Sequence, residues 1–311
     1  MEFTAVAYQI GILALTILVG FLAVKTGYIE GKVKDALSKL IMRIILPCLV
    51  ISSISSKELD KGLITDIFTV FLMSVFCIFV LFALGAITSK SLKIPKGTAE
   101  VHSLLTTLGN VTFVGYPVIS AMYGETGFFY AIIYWLMNDL FLWTFGLFML
   151  NSEKPKNAKE VFKRLVNPNT IAFTVAILML VFGIKLPKLI NDTVSRMGNL
   201  TISLSMIFIG MALAEVEAKK ALKKWWVFIV VPLKMVIMPI LFIYIFKSLG
   251  IKEILLGAVV LEAAMPAQTI LSIIANESKS DYEYAACGMF VTTIASLITL
   301  PFICCMIKLI I

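Results

Sequence analysis

The sequence predicts an all-α integral membrane protein of ten transmembrane helices, built as two inverted five-helix halves with a broken helix in spans four and nine. Three observations lead there. Of 311 residues, 60% are hydrophobic and 15% charged, against roughly 45–50% and about 25% in soluble domains. No interior of this size hides such a surplus, so it faces lipid. The apolar residues fall into ten runs, most of them near the roughly 20 residues that a bilayer core demands of a helix. The fourth and ninth runs are interrupted at corresponding points by glycine, asparagine and proline or by proline and polar residues.

The runs cover about residues 3–24, 36–55, 67–88, 98–122, 126–150, 169–184, 194–214, 225–247, 253–275 and 284–308. The sixth is short and stops before Leu186-Pro187. The first lacks the basic start and small-residue cleavage site of a signal peptide and is long enough to span. Charge orients the set. With the N-terminus outside, the inner loops carry Lys25, Lys32 and Lys34, then Lys90, Lys93 and Lys96. They continue with Lys154 to Arg164, Lys219 to Lys224, and Lys279. The outer side carries about half as many, among them Lys57, Lys61, Lys185, Lys188 and Lys252. Both termini therefore face outward from a bacterial cytoplasmic membrane. The net charge of +8 is spread through these short loops, which is topological bias and not a nucleic-acid surface.

The five cysteines lie in apolar stretches and read as small hydrophobes. His102 cannot build a metal cage alone, and at the start of the fourth span it reads as an interfacial packing residue. One histidine and no Gly-x-Ser-x-Gly leave an intramembrane enzyme little to work with. No cofactor is expected beyond a coupling proton or sodium ion.

The most charged connection, Asn151 to Asn167, leaves five spans on either side. An odd number per half forces the second half to insert upside down, the arrangement that places substrate where two discontinuous helices meet. The fourth span carries Gly109-Asn110-Val111-Thr112-Phe113-Val114-Gly115-Tyr116-Pro117, and the ninth carries Glu262-Ala263-Ala264-Met265-Pro266-Ala267-Gln268-Thr269. Proline removes a donor and clashes with the preceding turn, so each helix is expected to open near Pro117 and Pro266. Simple kinks are the plainer alternative, and they suit Pro47, Pro232, Pro239 and Pro301.

At these residues the chain resembles the auxin efflux carrier family, which includes the plant PIN proteins and bacterial malate and malonate carriers. Asn110 to Pro117 followed by Ala121-Met122-Tyr123-Gly124 is similar to the plant pattern of Asn, Gly-x-Pro and Ala-Met-Tyr-Gly. Glu262-Ala263-Ala264-Met265-Pro266 is similar to the plant Gln-Ala-Ala-Leu-Pro. Arg43 to Pro47, Phe208-Ile209-Gly210-Met211 and Ile298-Thr299-Leu300-Pro301 fit as well. The sequence departs where plants carry glutamine, with Glu262 in the ninth span and Asp139 in the fifth, and where Ala267-Gln268 replaces Gln-Gly.

The resemblance implies a dimerising scaffold of residues 1–66 and 169–224, and a mobile transport domain of residues 67–150 and 225–311. Residues 151–168 would form the loop between the halves. It also implies elevator-type alternating access and a small organic anion as substrate. From the chemistry of broken helices, whose free N–H groups attract anions, the expected substrate site is Asn110, Gly115, Tyr116, Pro117, Met265, Pro266, Ala267, Gln268 and Thr269. Asn110 has a plainer reading as an interhelical hydrogen bond. Asp139, Lys234 and Glu262 are ionisable groups at depth, which are costly and tend to be functional. They read as coupling residues, or as a static pair of Lys234 with one of the acids. A coupled antiporter or symporter of the same fold with another substrate, and a passive channel, remain as rival readings.

Overall fold

The computed structural model describes residues 3–55, 57, 60–150, 166–215 and 224–310. The lysines between 154 and 163, Arg164, Lys219, Lys220 and Lys223, on which part of the charge bias rests, lie outside the described residues. Helix makes up 84% of the structure, as lipid requires, because each helix satisfies its own backbone groups. The described helices are α1 (Phe3–Lys25), α2 (Val33–Ser55), α3 (Lys61–Ser91), α4 (Thr98–Thr107) and α5 (Val111–Met149). They continue as α6 (Pro168–Phe182), α7 (Lys188–Glu215), α8 (Val227–Ser248), α9 (Glu253–Ala263), α10 (Ile270–Glu277) and α11 (Tyr282–Ile310).

Six of these, α2, α3, α5, α7, α8 and α11, are long and apolar enough to cross a membrane, and α1 and α6 contain shorter apolar helices. Large apolar side chains point outward all round, including Phe68, Phe182 and Ile298. In water such a surface would associate; in a bilayer it meets hydrocarbon. In place of an unbroken fourth span the chain has the ten-residue α4 followed by the start of α5, and in place of a ninth it has α9 and α10, of 11 and 8 residues. Helices of about ten residues reach about 15 Å, half of a bilayer core of about 30 Å.

Local signals explain several ends. Asp60 caps α3 by accepting from Leu63 N at 2.6 Å, and Asn167 with Thr170 caps α6 ahead of Pro168. Unbroken, α5 would run about 58 Å. It turns instead at Gly124, whose φ of 61° and ψ of −155° suit glycine alone. That bend separates what the sequence reading takes as spans four and five.

Proline acts differently from expectation. Three π-type turns, Ile41–Ile45, Val111–Gly115 and Leu233–Ile237, are each followed two residues later by Pro47, Pro117 or Pro239. A proline ring collides with the carbonyl four residues back, and a turn closed five residues back moves that carbonyl aside. Pro117 therefore sits inside α5, and the first break lies two turns earlier, at Leu108–Asn110. The second break, Ala264–Thr269, contains Pro266 as expected.

In packing, α1 lies along α7, and α2 packs on α6 and α7. Separately, α3 packs on α4 and α5, α9 on α5, and α10 and α8 on α11. Phe113 of α5 stacks on Phe208 of α7 at 4.4 Å between ring centroids, joining the two groups beside the first break.

Candidate functional site

The two breaks meet. Asn110 N donates to Pro266 O at 2.6 Å and Gln268 N to Leu108 O at 3.3 Å, so Gly109 and Ala267 form a one-residue antiparallel bridge. Each opened strand thus satisfies backbone groups of the other, which removes the main cost of breaking a helix away from water. Side chains complete the pairing. Asn110 Nδ2 donates to Thr269 Oγ1 at 3.0 Å while its Oδ1 caps α5 by accepting from Phe113 N. Thr292 Oγ1 of α11 accepts from Ala267 N at 2.9 Å.

A second layer comes from the arm of α5 after Gly124. Asn138, fully buried, accepts from Gly109 N and donates to Gln268 Oε1. Its neighbour Asp139 is held by side-chain hydrogen bonds with Gln268 and Trp143. A chain of polar contacts therefore runs from the backbone of the first break through Asn138 and Gln268 to Asp139.

A cavity of about 800 Å³ opens against this crossing, with Asn110, Thr112, Asp139, Gln268 and Thr269 on one wall and Arg43 and Phe208 among the residues of the other. Arg43 is exposed and makes no ion pair among the described residues. The other cations of the lining are committed: Lys34 pairs with Glu215, and Lys224 with Asp281 at 2.6 Å.

Of the residues expected at the substrate site, Asn110, Gln268 and Thr269 reach the cavity wall. Gly115, Tyr116, Pro117, Met265, Pro266 and Ala267 are buried behind it, where they support the crossing. The suggested ion pair of Lys234 with Asp139 or Glu262 is not formed. Lys234 is fully buried, and its Nζ donates to Leu105 O at 3.0 Å and Leu108 O at 2.7 Å. It caps the C-terminus of α4, where the helix dipole favours a cation. Glu262 is also fully buried, and neither carboxyl oxygen has a hydrogen-bond partner among the described residues.

His102 packs inside the protein. It is 1% exposed and bridges Thr88 Oγ1 and Tyr284 Oη, at 3.0 and 2.7 Å, tying α4 to α3 and α11. Asn138 was the main residue that sequence reasoning left without a role. The signal was present, since an asparagine within an apolar span needs partners, but those partners lie 29 and 130 positions away.

Residues 6–304 match the family model described as membrane transport protein. An uncharacterized transporter of Methanocaldococcus jannaschii is 22% identical, with 93% of this chain and 94% of that protein covered. An uncharacterized transporter of Methanothermobacter thermautotrophicus is also 22% identical, with 92% and 93% covered. The match runs across both helix breaks and nearly every helix between them, so the chain belongs to the membrane transport protein family, that of the auxin efflux carriers.

Proposed function

We propose that this chain is a secondary carrier of small organic carboxylate anions, of the size of malate or malonate, working by elevator-type alternating access. The observation that carries the reading is the crossing of two opened helices at the wall of a cavity, with Asn110, Gln268 and Thr269 facing it. A carboxylate entering a membrane protein must exchange its water shell for fixed donors. The starts of α5 and α10 supply N–H groups and partial positive charge, and the Asn110 amide adds donors without a full charge. Arg43, which lines the cavity and makes no ion pair among the described residues, supplies long-range attraction.

In this reading ten spans form two inverted halves, with α4 and the start of α5 as the fourth and α9 and α10 as the ninth. Residues 1–66 and 169–224 make the scaffold and dimer contact, and residues 67–150 and 225–311 move past it. The closer packing of α1, α2, α6 and α7 on one another than on the other helices supports that division. The cavity mouth carries Lys34 and Lys224, which the positive-inside rule assigns to the cytoplasm of a cell membrane, with both termini outside. Asp139 or Glu262 carries a coupling proton or sodium ion, and Lys234 keeps the crossing open for it.

The test is counterflow of labelled malate in liposomes, competed by malonate, lactate, indole acetate and amino acids. Saturable exchange inhibited by carboxylates supports a carrier of this class. Flux without saturation indicates a channel, and no carboxylate exchange removes the substrate class.

A further inference from the structure

A carboxyl group that is fully buried and has no partner is rare enough in any protein to require a cause. Glu262 lies in the last turn of α9, with neither oxygen hydrogen-bonded. Its carboxyl fills the space beside Gly115 of α5, where a Cβ would stand 2.3 Å from Oε2. Tyr116 and Tyr134 lie within its electrostatic reach, and both hydroxyls are likewise buried without partners.

The ionised form has nothing to hold it there. Lys234 gives its protons to the carbonyls of Leu105 and Leu108. The C-terminal end of α9 presents negative partial charge, which opposes an anion. A buried, unpartnered carboxylate costs far more than a neutral acid, which loses only its unmade hydrogen bonds. The other titratable groups in its electrostatic surroundings are Tyr116 and Tyr134 on α5, with Asp139 beyond Tyr116 and Cys77 of α3 beyond Tyr134. None is a cation.

We propose that Glu262 is a proton-binding site that couples to the anion site, so that proton and carboxylate cross the membrane together. This rests on the carrier reading above. Protonated, Glu262 leaves the Asn110 crossing free of like charge, and an anion binds. When the site reaches water on the far side and Glu262 loses its proton, the new negative charge next to the crossing expels the substrate. The step is a proton binding and leaving one carboxyl oxygen, with no other bond changed.

Two measurements test it. Infrared difference spectroscopy at neutral pH should show a protonated carboxylic acid band in the wild type that is missing from Glu262→Gln and retained in Asp139→Asn. Glu262→Leu serves as a second variant should the first not fold. A wild type without such a band, or a band that survives both Glu262 substitutions, overturns the proposal. In liposomes clamped at zero membrane potential, an inward acid gradient should drive at least tenfold carboxylate accumulation with matching internal acidification. Both should be lost in Glu262→Gln, and accumulation and acidification that persist in the variant overturn the coupling. If malate counterflow fails while the infrared difference holds, the substrate reading falls and the proton site stands. If counterflow holds and the band is absent, the proton site alone falls.

Discussion

At the first break the Lys234 ammonium caps the C-terminus of α4; at the second the last turn of α9 carries Glu262, whose carboxyl lies beside Gly115 and makes no hydrogen bond among the described residues. In backbone terms the two breaks match, each lending hydrogen bonds to the other across the Gly109–Ala267 bridge. The polar chemistry at the two breaks nevertheless differs. A cation that spends its protons on carbonyls serves structure, because removing it strands acceptors. An acid with no partner serves no structural end that the contacts reveal, which is why the proton role falls to Glu262 and not to Lys234.

The largest expected effect breaks the first half of that comparison. Lys234→Ala leaves the Leu105 carbonyl buried and unpaired, at about 1–3 kcal/mol, and takes from the Leu108 carbonyl the shorter of its two hydrogen bonds, leaving it only Gln268 N. Loss of folded protein in a thermal unfolding series is the expected outcome. Glu262→Leu should be tolerated far better, since among the described residues the carboxyl makes no hydrogen bond for the substitution to break; equal damage from both would end the distinction between cap and proton site.

Next is Asn110→Ala. It removes the bond to Thr269 and the cap on α5, at a cost of about 1 kcal/mol in stability, while carboxylate counterflow falls to background. Counterflow at the wild-type rate would leave Asn110 a structural residue. Gly115→Ala sharpens the comparison on the other side. Its new Cβ collides with the Glu262 carboxyl, and overpacking of this kind costs about 1–3 kcal/mol. Combining it with Glu262→Ala should recover most of that loss in a double-mutant cycle, whereas additive losses would place the strain elsewhere.

The smallest effect lies outside the spans. Burial works to raise the Asp281 carboxyl, but hydrogen bonds from Lys224, Tyr284 N and Thr98, with the Lys224 charge, outweigh it and hold the group below its ordinary value. A carboxyl depressed in the folded state contributes stability above its unfolded pKa of about 3.9, and loses it as pH falls further through the folded value. The two side chains are 27% and 20% exposed, so solvent still screens the pair and its worth is about 0.2–1 kcal/mol. Unfolding midpoints of wild type and Asp281→Asn should differ at neutral pH and converge below about pH 4; a constant difference would assign the loss to packing.

Much of the site was legible before any fold was known. The polar interruptions at Gly109-Asn110 and Pro266-Ala267 stand out in apolar runs, and so do Asp139, Lys234 and Glu262, because a charged side chain at depth has few inexpensive explanations. The position of the first break was not legible. Pro117 drew attention to itself, yet a π-type turn absorbs its ring while the chain opens at Leu108–Asn110.

By itself the sequence determined the class, since a surplus of apolar residues has no home except lipid, and it determined that runs four and nine are the special ones. Only the tertiary structure decided what each polar group does. Lys234 meets carbonyls 129 and 126 positions away, and Asn110 meets Thr269 across 159. Spacing along a chain carries no information about partners so distant; they are chosen when packed helices bring two opened backbones to one place, where every donor left without water must find an acceptor.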